Sequence, residues 1–389
     1  VPGSDVVVIG AGAVGLACAR RLAAAGRRVV VLEREPAGGQ ASRTAAGMLV
    51  PRVEASAPGT FFRFALRARD AFADFAAALE EESGARVDYR RDGLLAVPAD
   101  EEEETELARR FEWQRAAGLP VEELTRSGAA SRWPGLDLPP PWSGDEAPEF
   151  AEGRVFFLED EAQVDGERVV EALLEACRRG GVDVRRGAAA TGLRVEAGRV
   201  RAVRAGAEWI ACEVVVNAAG AWAGAVAGWA GETVPVEPVR GELLAYATEL
   251  SPPHPVITSG EAYGLLRGDG RFVVGATVAR DGWEGAVTDA GQAWLEERAP
   301  GVRPDLARRR PAERRAGLRP GTPDHLPVIG FSRETQGLFH ASGLYRNGIL
   351  LAAATAELTA RALAGDPRVE ADLEPFSPAR FAVAAETRA

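Results

Sequence analysis

Residues 6–35 read VVVIGAGAVGLACARRLAAAGRRVVVLERE, and the fold follows from how this stretch is read. Val6, Val7, Val8 and Ile9 make an unbroken apolar run, the pattern of a strand buried on both faces. Gly10, Gly12 and Gly15 follow in G-x-G-x-x-G spacing. Residues 14–25 then read as a helix of small and aliphatic side chains closed by Gly26. A second buried strand covers 29–32, with Glu33 at its carboxyl end. Gly10 permits the tight turn out of the strand, Gly12 lets a pyrophosphate approach the backbone, and Gly15 lets the helix pack close. Ala13 and Val14 open the helix, whose unpaired N–H groups face the phosphates. Glu33 stands eighteen residues after Gly15, close to the ~20 of a dinucleotide fingerprint. A carboxylate there accepts hydrogen bonds from ribose hydroxyls and repels a 2′-phosphate.

Composition narrows the class. The chain has 389 residues, 46% hydrophobic and 26% charged, enough for two domains of a soluble globular protein. A net charge of −11 argues against a nucleic-acid surface. No apolar run reaches the ~18 residues of a membrane span. The first strand opens within a few residues of the start, so no leader segment and a cytoplasmic location are expected. A homo-oligomer is expected, with neither a membrane nor a nucleic-acid partner. Cys18, Cys177 and Cys212 are scattered, show no metal-ligand spacing and fit a reducing compartment. The chain has no lysine, which excludes Schiff-base and pyridoxal chemistry. It has one methionine, Met48, and two asparagines, Asn217 and Asn347. Such scarcity in an arginine- and glutamate-rich chain fits either a heat-tolerant source or GC-rich codon usage.

After Glu33 a nicotinamide enzyme would continue strand, helix, strand. This chain instead enters a Gly/Ala/Ser loop, 38–48, that includes Gly38, Gly39, Ser42, Arg43, Thr44, Ala45, Ala46, Gly47 and Met48. A loop there can cover a cofactor's phosphates and reach its reactive ring. The spacing predicts one long amphipathic helix over 61–79, strands at 87–90 and 94–97, and a charged helix over 100–117. Residues 134–148 are turn-rich. Strand and helix texture returns at 155–158, 165–179 and 182–186, then a hairpin at 193–195 and 200–203. A buried strand over 210–216 ends in Asn217, Ala218, Ala219, Gly220, Ala221 and Trp222, a second tight strand-to-helix turn. Long antiparallel strands are expected at 235–248 and 263–278, with Gly268, Asp269 and Gly270 as the turn of a hairpin, and a helix at 288–299. The tail adds short strands at 327–330 and 338–341 and a helix over 349–364. The expected class is α/β. A discontinuous Rossmann-like cofactor domain (1–85, 151–228 and 315–389) carries a second domain on an antiparallel sheet (86–150 and 229–314).

The segments TAAGML at 44–49, NAAGAW at 217–222, GLRPGTPDHLPVIG at 317–330 and RNGILL at 346–351, with the glycine motif, resemble the D-amino-acid oxidase family of flavoproteins. Within it the likeness is greatest to the glycine oxidases. The resemblance spans residues 6–363 and implies non-covalent FAD. Beyond the glycine motif, Arg34, the loop 42–48, Ala190, Asn217 to Gly220, Trp222, Gly343, Arg346, Asn347, Gly348 and Ile349 are the implied cofactor contacts. It implies that Arg319 and Tyr263 hold the substrate carboxylate, that Arg346 lies by the pocket, and that Met48 and Val278 are pocket wall. At Val50 and Pro51 the chain departs from the family's small residue, so Val50 is a candidate for substrate range. The related sarcosine oxidases anchor flavin through a cysteine. None of the three cysteines falls in the matching C-terminal region.

The implied reaction transfers a hydride from an amino acid's Cα to the flavin. It yields a 2-oxo acid, ammonia and, with oxygen as acceptor, hydrogen peroxide; for glycine it serves thiamine thiazole synthesis. Arginine suits the carboxylate because its planar fork makes two parallel hydrogen bonds. Arg319 is read either as that clamp or as a structural ion-pair partner, and Tyr263 either as a donor or as a packed ring. A helix N-terminus near Asn347 and Gly348 suits negative charge on the reduced ring. The histidines 254, 325 and 340 read as structural, with His325 alone placed near the pocket. The alternative function is a dehydrogenase that passes electrons to a quinone or partner protein, or a flavin-binding electron-transfer subunit.

Overall fold

The computed structural model describes residues 4–35, 40–55, 57–140 and 153–381. The expected Gly38-Gly39 turn and most of the turn-rich loop, from 141 onward, lie outside them. Two eight-stranded sheets organise the chain. The first runs Val328–Phe331, Leu338–Ser342, Glu208–Asn217, Ser4–Ile9, Val29–Glu33, Asp183–Arg186. A hairpin, Ala190–Glu196 with Arg199–Ala205, joins it through Glu208–Asn217. Ser4–Ile9 is parallel to both neighbours, and Ile9 pairs with Leu32 on one side and Asn217 on the other. Three parallel strand ends therefore lie level, with the turns at Gly10 and Ala218 side by side. Crevices at such carboxyl ends, where the strand order reverses, are where open α/β sheets bind ligands.

Helices cover this sheet because its strands are apolar on both faces. Ala13–Ala24 packs against Gly166–Arg179 and Ala352–Leu363. Val6, Val8, Leu16, Cys18, Leu173, Cys177 and Phe339 share one core. All three cysteines are free and buried.

The second sheet runs Glu313–Gly321, Glu237–Ala247, Arg271–Gly275, Ala262–Leu266, Val256–Ser259, Leu94–Ala96, Arg154–Leu158, Glu122–Thr125. All its pairs are antiparallel except Val256–Ser259 with Leu94–Ala96. Two segments placed by expectation in the cofactor domain, a strand at 155–158 and the Gly-rich stretch from 316, form strands of this sheet. Arg154–Leu158 pairs with Leu94–Ala96 and Glu122–Thr125, and Glu313–Gly321 pairs with Glu237–Ala247. The apolar run of Arg154–Leu158 suits either sheet, Glu313–Gly321 carries no apolar strand pattern, and only long-range pairing assigns them. A two-stranded ribbon, Met48–Leu49 with Ala162–Gln163, bridges the halves.

Other boundaries differ from expectation. The long helix comes as Thr60–Asp70 and Phe72–Ser83, meeting at Ala71. Residues 87–90 contribute only an isolated bridge, Arg90 to Gln163. The hairpin turn expected at Gly268 to Gly270 joins Ala262–Leu266 to Arg271–Gly275, and the second of these strands ends at Gly275 rather than at 278. The last long helix starts at Ala352, after turns over 345–351. Among the described residues no helix is long and apolar enough to cross a membrane.

Candidate active site

The three motif glycines do different work. Gly10 has φ +106°, and a Cβ there would stand 2.4 Å from the Ala218 carbonyl oxygen. A Cβ at Gly15 would stand 2.0 Å from the Gly10 carbonyl oxygen. These two are glycine because strand, turn and helix leave no room. A Cβ at Gly12 meets only Ser42 Oγ, at 3.3 Å. Gly12 thus presents bare backbone to a cleft, as close approach of phosphate requires. The Ala13 N–H donates to Ser42 Oγ at 3.0 Å, so Ser42 stands at the helix N-terminus.

Glu33 is buried at the end of its strand. Its carboxylate accepts from the Ala11 N–H at 2.8 Å and the Glu35 N–H at 2.9 Å. A carboxylate offers about four acceptor sites, so both oxygens keep capacity for ribose hydroxyls.

The cleft holds two adjoining cavities. One lies between Gly10, Glu33, Arg34, Gln40, Ala190, Ala219, Trp222 and Leu318. The other is bounded by Ala13, Val14, Thr44, Ala45, Ala46, Gly47, Met48, Val50, Tyr263, Arg319, Arg346, Asn347, Gly348 and Ile349. Gly12, Ser42, Ala218 and Gly220 line both, so the two are continuous. A Cβ at Gly220 or Gly348 would meet nothing within 4 Å. The first cavity has the acid and the apolar walls of an adenosine site, and Gln40 Oε1 is buried there without a partner among the described residues. The second has the cationic end a redox ring and its substrate need. The residues present fit FAD along its length.

Five expected residues do not line either cavity. Gly15 acts through packing. Arg43 turns outward to Glu167, at 3.3 Å. Asn217 is fully buried; its Nδ2 donates to the Ala223 carbonyl at 2.9 Å and lies 3.1 Å from His340 Nδ1. It ties the second turn together from behind. Gly343 has φ +73° and is crowded by Thr322 and Val328. Val278 is 49% exposed.

Arg319 and Tyr263 reach the second cavity by lying across glycines of neighbouring strands. A Cβ at Gly241 would stand 2.0 Å from Arg319 Nη2, and one at Gly275 2.3 Å from the Tyr263 hydroxyl. Arg319 Nη1 donates to the Thr277 carbonyl at 3.0 Å. No carboxylate lies within ion-pair distance of Arg319 among the described residues, which leaves its remaining N–H groups for a ligand. Burial pushes its pKa down, yet a guanidinium stays charged. Tyr263 is pushed up, first by burial, so its hydroxyl stays protonated and can donate. Arg346 differs: it is 45% exposed and stands 3.6 Å from Glu54.

Several residues in the cavity went unmarked in the sequence. Glu54 and Tyr345 line it beside Arg346, and Gly241 and Gly275 make room for the two polar side chains. A lone glycine inside a strand was the only signal for the last two. His325 does not line the cavity, although its ring lies 6.1 Å from Tyr345. His340 is buried against Glu232, at 3.0 Å.

Known proteins share this fold. A family model described as FAD dependent oxidoreductase matches residues 5–362. The glycine oxidase of Pseudomonas aeruginosa is 30% identical over 377 residues, covering 96% of this chain and 98% of that protein. The bifunctional protein ThiO/ThiG of Synechocystis is 32% identical over 387 residues, 97% of this chain and 54% of its own length. The crystal structure of glycine oxidase from Geobacillus kaustophilus superposes with a TM-score of 0.84 at 29% identity, covering 96% of this chain and 98% of that one. The glycine turn with Glu33, the continuous cleft and these full-length matches make the chain an FAD-dependent oxidoreductase of the D-amino-acid oxidase family.

Proposed function

We propose that this enzyme oxidises glycine and other small amino acids, including sarcosine and small D-amino acids. The products are the 2-oxo acid, ammonia and hydrogen peroxide. The observation that carries the reading is Arg319: a guanidinium aimed into the cofactor cleft with no acidic partner among the described residues. Its fork binds the substrate carboxylate through two hydrogen bonds, which fixes direction as well as charge. The Tyr263 hydroxyl adds a neutral donor. Together they aim the Cα–H along the cleft, and positioning of this kind supplies much of the rate. Bound FAD supplies the two-electron acceptor, and oxygen then takes the electrons as hydrogen peroxide. Cysteine lines neither cavity among the described residues, in keeping with non-covalent cofactor.

Met48, Val50 and Tyr345 line the same cavity as Arg319, and walls of this bulk favour small side chains. The amine reacts as its free base, and none of the three histidines lines the cavity. Likeness to the glycine oxidases supports this substrate class. The match over about half the length of a ThiO/ThiG protein supports a place in thiamine thiazole synthesis. The proposed enzyme is a cytoplasmic homo-oligomer. The test is peroxide release from glycine, sarcosine, D-alanine and D-phenylalanine. Glycine, sarcosine and D-alanine should lead. Highest turnover on D-phenylalanine, or turnover only with a quinone or dye as acceptor, would overturn the assignment.

A further inference from the structure

Residues 276–288 link the strand Arg271–Gly275 to the helix Asp289–Val302. They leave the second sheet and pass along the adenosine end of the cleft. Ala279 bridges to Arg240, and the Arg240 guanidinium pairs with Asp281. Farther on, a Cβ at Gly285 would stand 3.4 Å from Gln40 Oε1 and 3.6 Å from Leu318. Both of those residues line the adenosine cavity. Between these two anchors the Trp283 ring packs 5.5 Å from the ring of Trp222, inclined by 34°. Trp222 is cavity wall, and the Arg34 guanidinium sits 3.6 Å from its ring centre.

Trp283 is 54% exposed, so core packing does not account for it. What it touches is the wall of the cavity. That wall also holds a buried acceptor, Gln40 Oε1, with no donor among the described residues. An acceptor of this kind suits an adenine amino group or a ribose hydroxyl, and a planar base suits a wall of indole and guanidinium.

We propose that Trp283 is a clamp on the adenosine half of FAD: from the second sheet's crossover it holds Trp222 and Arg34 against the cavity that takes adenine and ribose. The substrate half of the molecule thereby helps retain the cofactor. The inference is independent of which amine is oxidised.

The test uses the holoenzyme and the variants Trp283→Ala and Trp283→Phe. Release of FAD after dilution is followed by flavin fluorescence, and melting temperature is read with and without FAD. Trp283→Ala should release FAD about tenfold faster, the scale of one lost aromatic contact. It should lose part of the FAD-dependent rise in melting temperature while the apoprotein melts as before. Trp283→Phe should recover most of the loss. Release within twofold of the parent would overturn the proposal. So would an equal drop in melting temperature with and without FAD, which would make the stack purely structural.

Discussion

At the scale of the residue, the proposed carboxylate clamp is a matter of what lies beneath it. Arg319 lies across Gly241, so Gly241→Ala would put a methyl group where the guanidinium now sits. This variant should keep FAD and show a raised KM for glycine, read by flavin absorbance and steady-state kinetics together. Arg319→Ala or Arg319→Met should also keep FAD, because the proposed partner of Arg319 is the substrate. Removing one side of a charge-assisted contact in a desolvated site costs about 2–5 kcal/mol. That corresponds to roughly 30-fold to several thousand-fold in kcat/KM. Arg319→Lys should recover only part, having the charge without the fork. Tyr263→Phe should cost less, about 0.5–1.5 kcal/mol for a neutral hydrogen bond. An amine without a carboxylate is the control, since the advantage of the parent over Arg319→Ala should vanish for it. Loss of FAD or of the fold in Arg319→Ala would make this arginine structural and turn attention to Arg346.

At the scale of the element, the short helix Pro51–Glu54 carries Val50 and Glu54 to the cavity and is held by charges buried behind it. Arg52 is fully buried and pairs with Asp160; its Nε donates to Gln114 Oε1 and its Nη2 to the Pro120 carbonyl, each at 2.9 Å. Arg69, from the helix Thr60–Asp70, reaches Asp160 at 2.8 Å and Glu161 at 2.7 Å. Removing one member of such a network leaves a buried charge uncompensated, at about 3–5 kcal/mol. Arg52→Met should therefore lower the melting temperature markedly and raise KM as the helix shifts. Glu161 adds a pH dependence: burial, first of all, pushes its carboxyl up to about 8. The folded state holds this proton where the unfolded chain has released it. The group's contribution to stability is thus present at acid pH and lost as pH rises through the folded pKa. Glu161→Gln should flatten the decline in melting temperature between about pH 5 and 8. Little of this was legible beforehand, because nothing local to Arg52 or Arg69 shows that the turn after strand Arg154–Leu158 brings Asp160 and Glu161 under them.

At the scale of the whole molecule, the cleft spans both halves: Glu33 stands at one end of it and Arg319, on the second sheet, at the other. Purified protein should be yellow, and acid or heat should release FAD that is not covalently attached. FAD at a hundredfold its Kd should stabilise the protein by about 2.7 kcal/mol, read as a rise in melting temperature over the apoprotein. A protein that cannot be loaded with FAD would refute the cofactor's fit. The amino-acid sequence by itself determined the first sheet's nucleus, the glycine turn, the acid at Glu33 and the family. Those features rest on short motifs, each set by residue type at fixed spacing within about thirty positions, and the family on several such motifs spread along the chain. It also marked Arg319 and Tyr263 through motif likeness. Only the tertiary structure decided which sheet takes Arg154–Leu158 and Glu313–Gly321. The same is true of Arg43 and Asn217 facing away from the cleft, and of Glu54, Gly241 and Trp283 reaching it or its wall. Strand pairing and side-chain direction are set by partners far along the chain, and alternation of apolar residues carries no record of which partner a strand will meet.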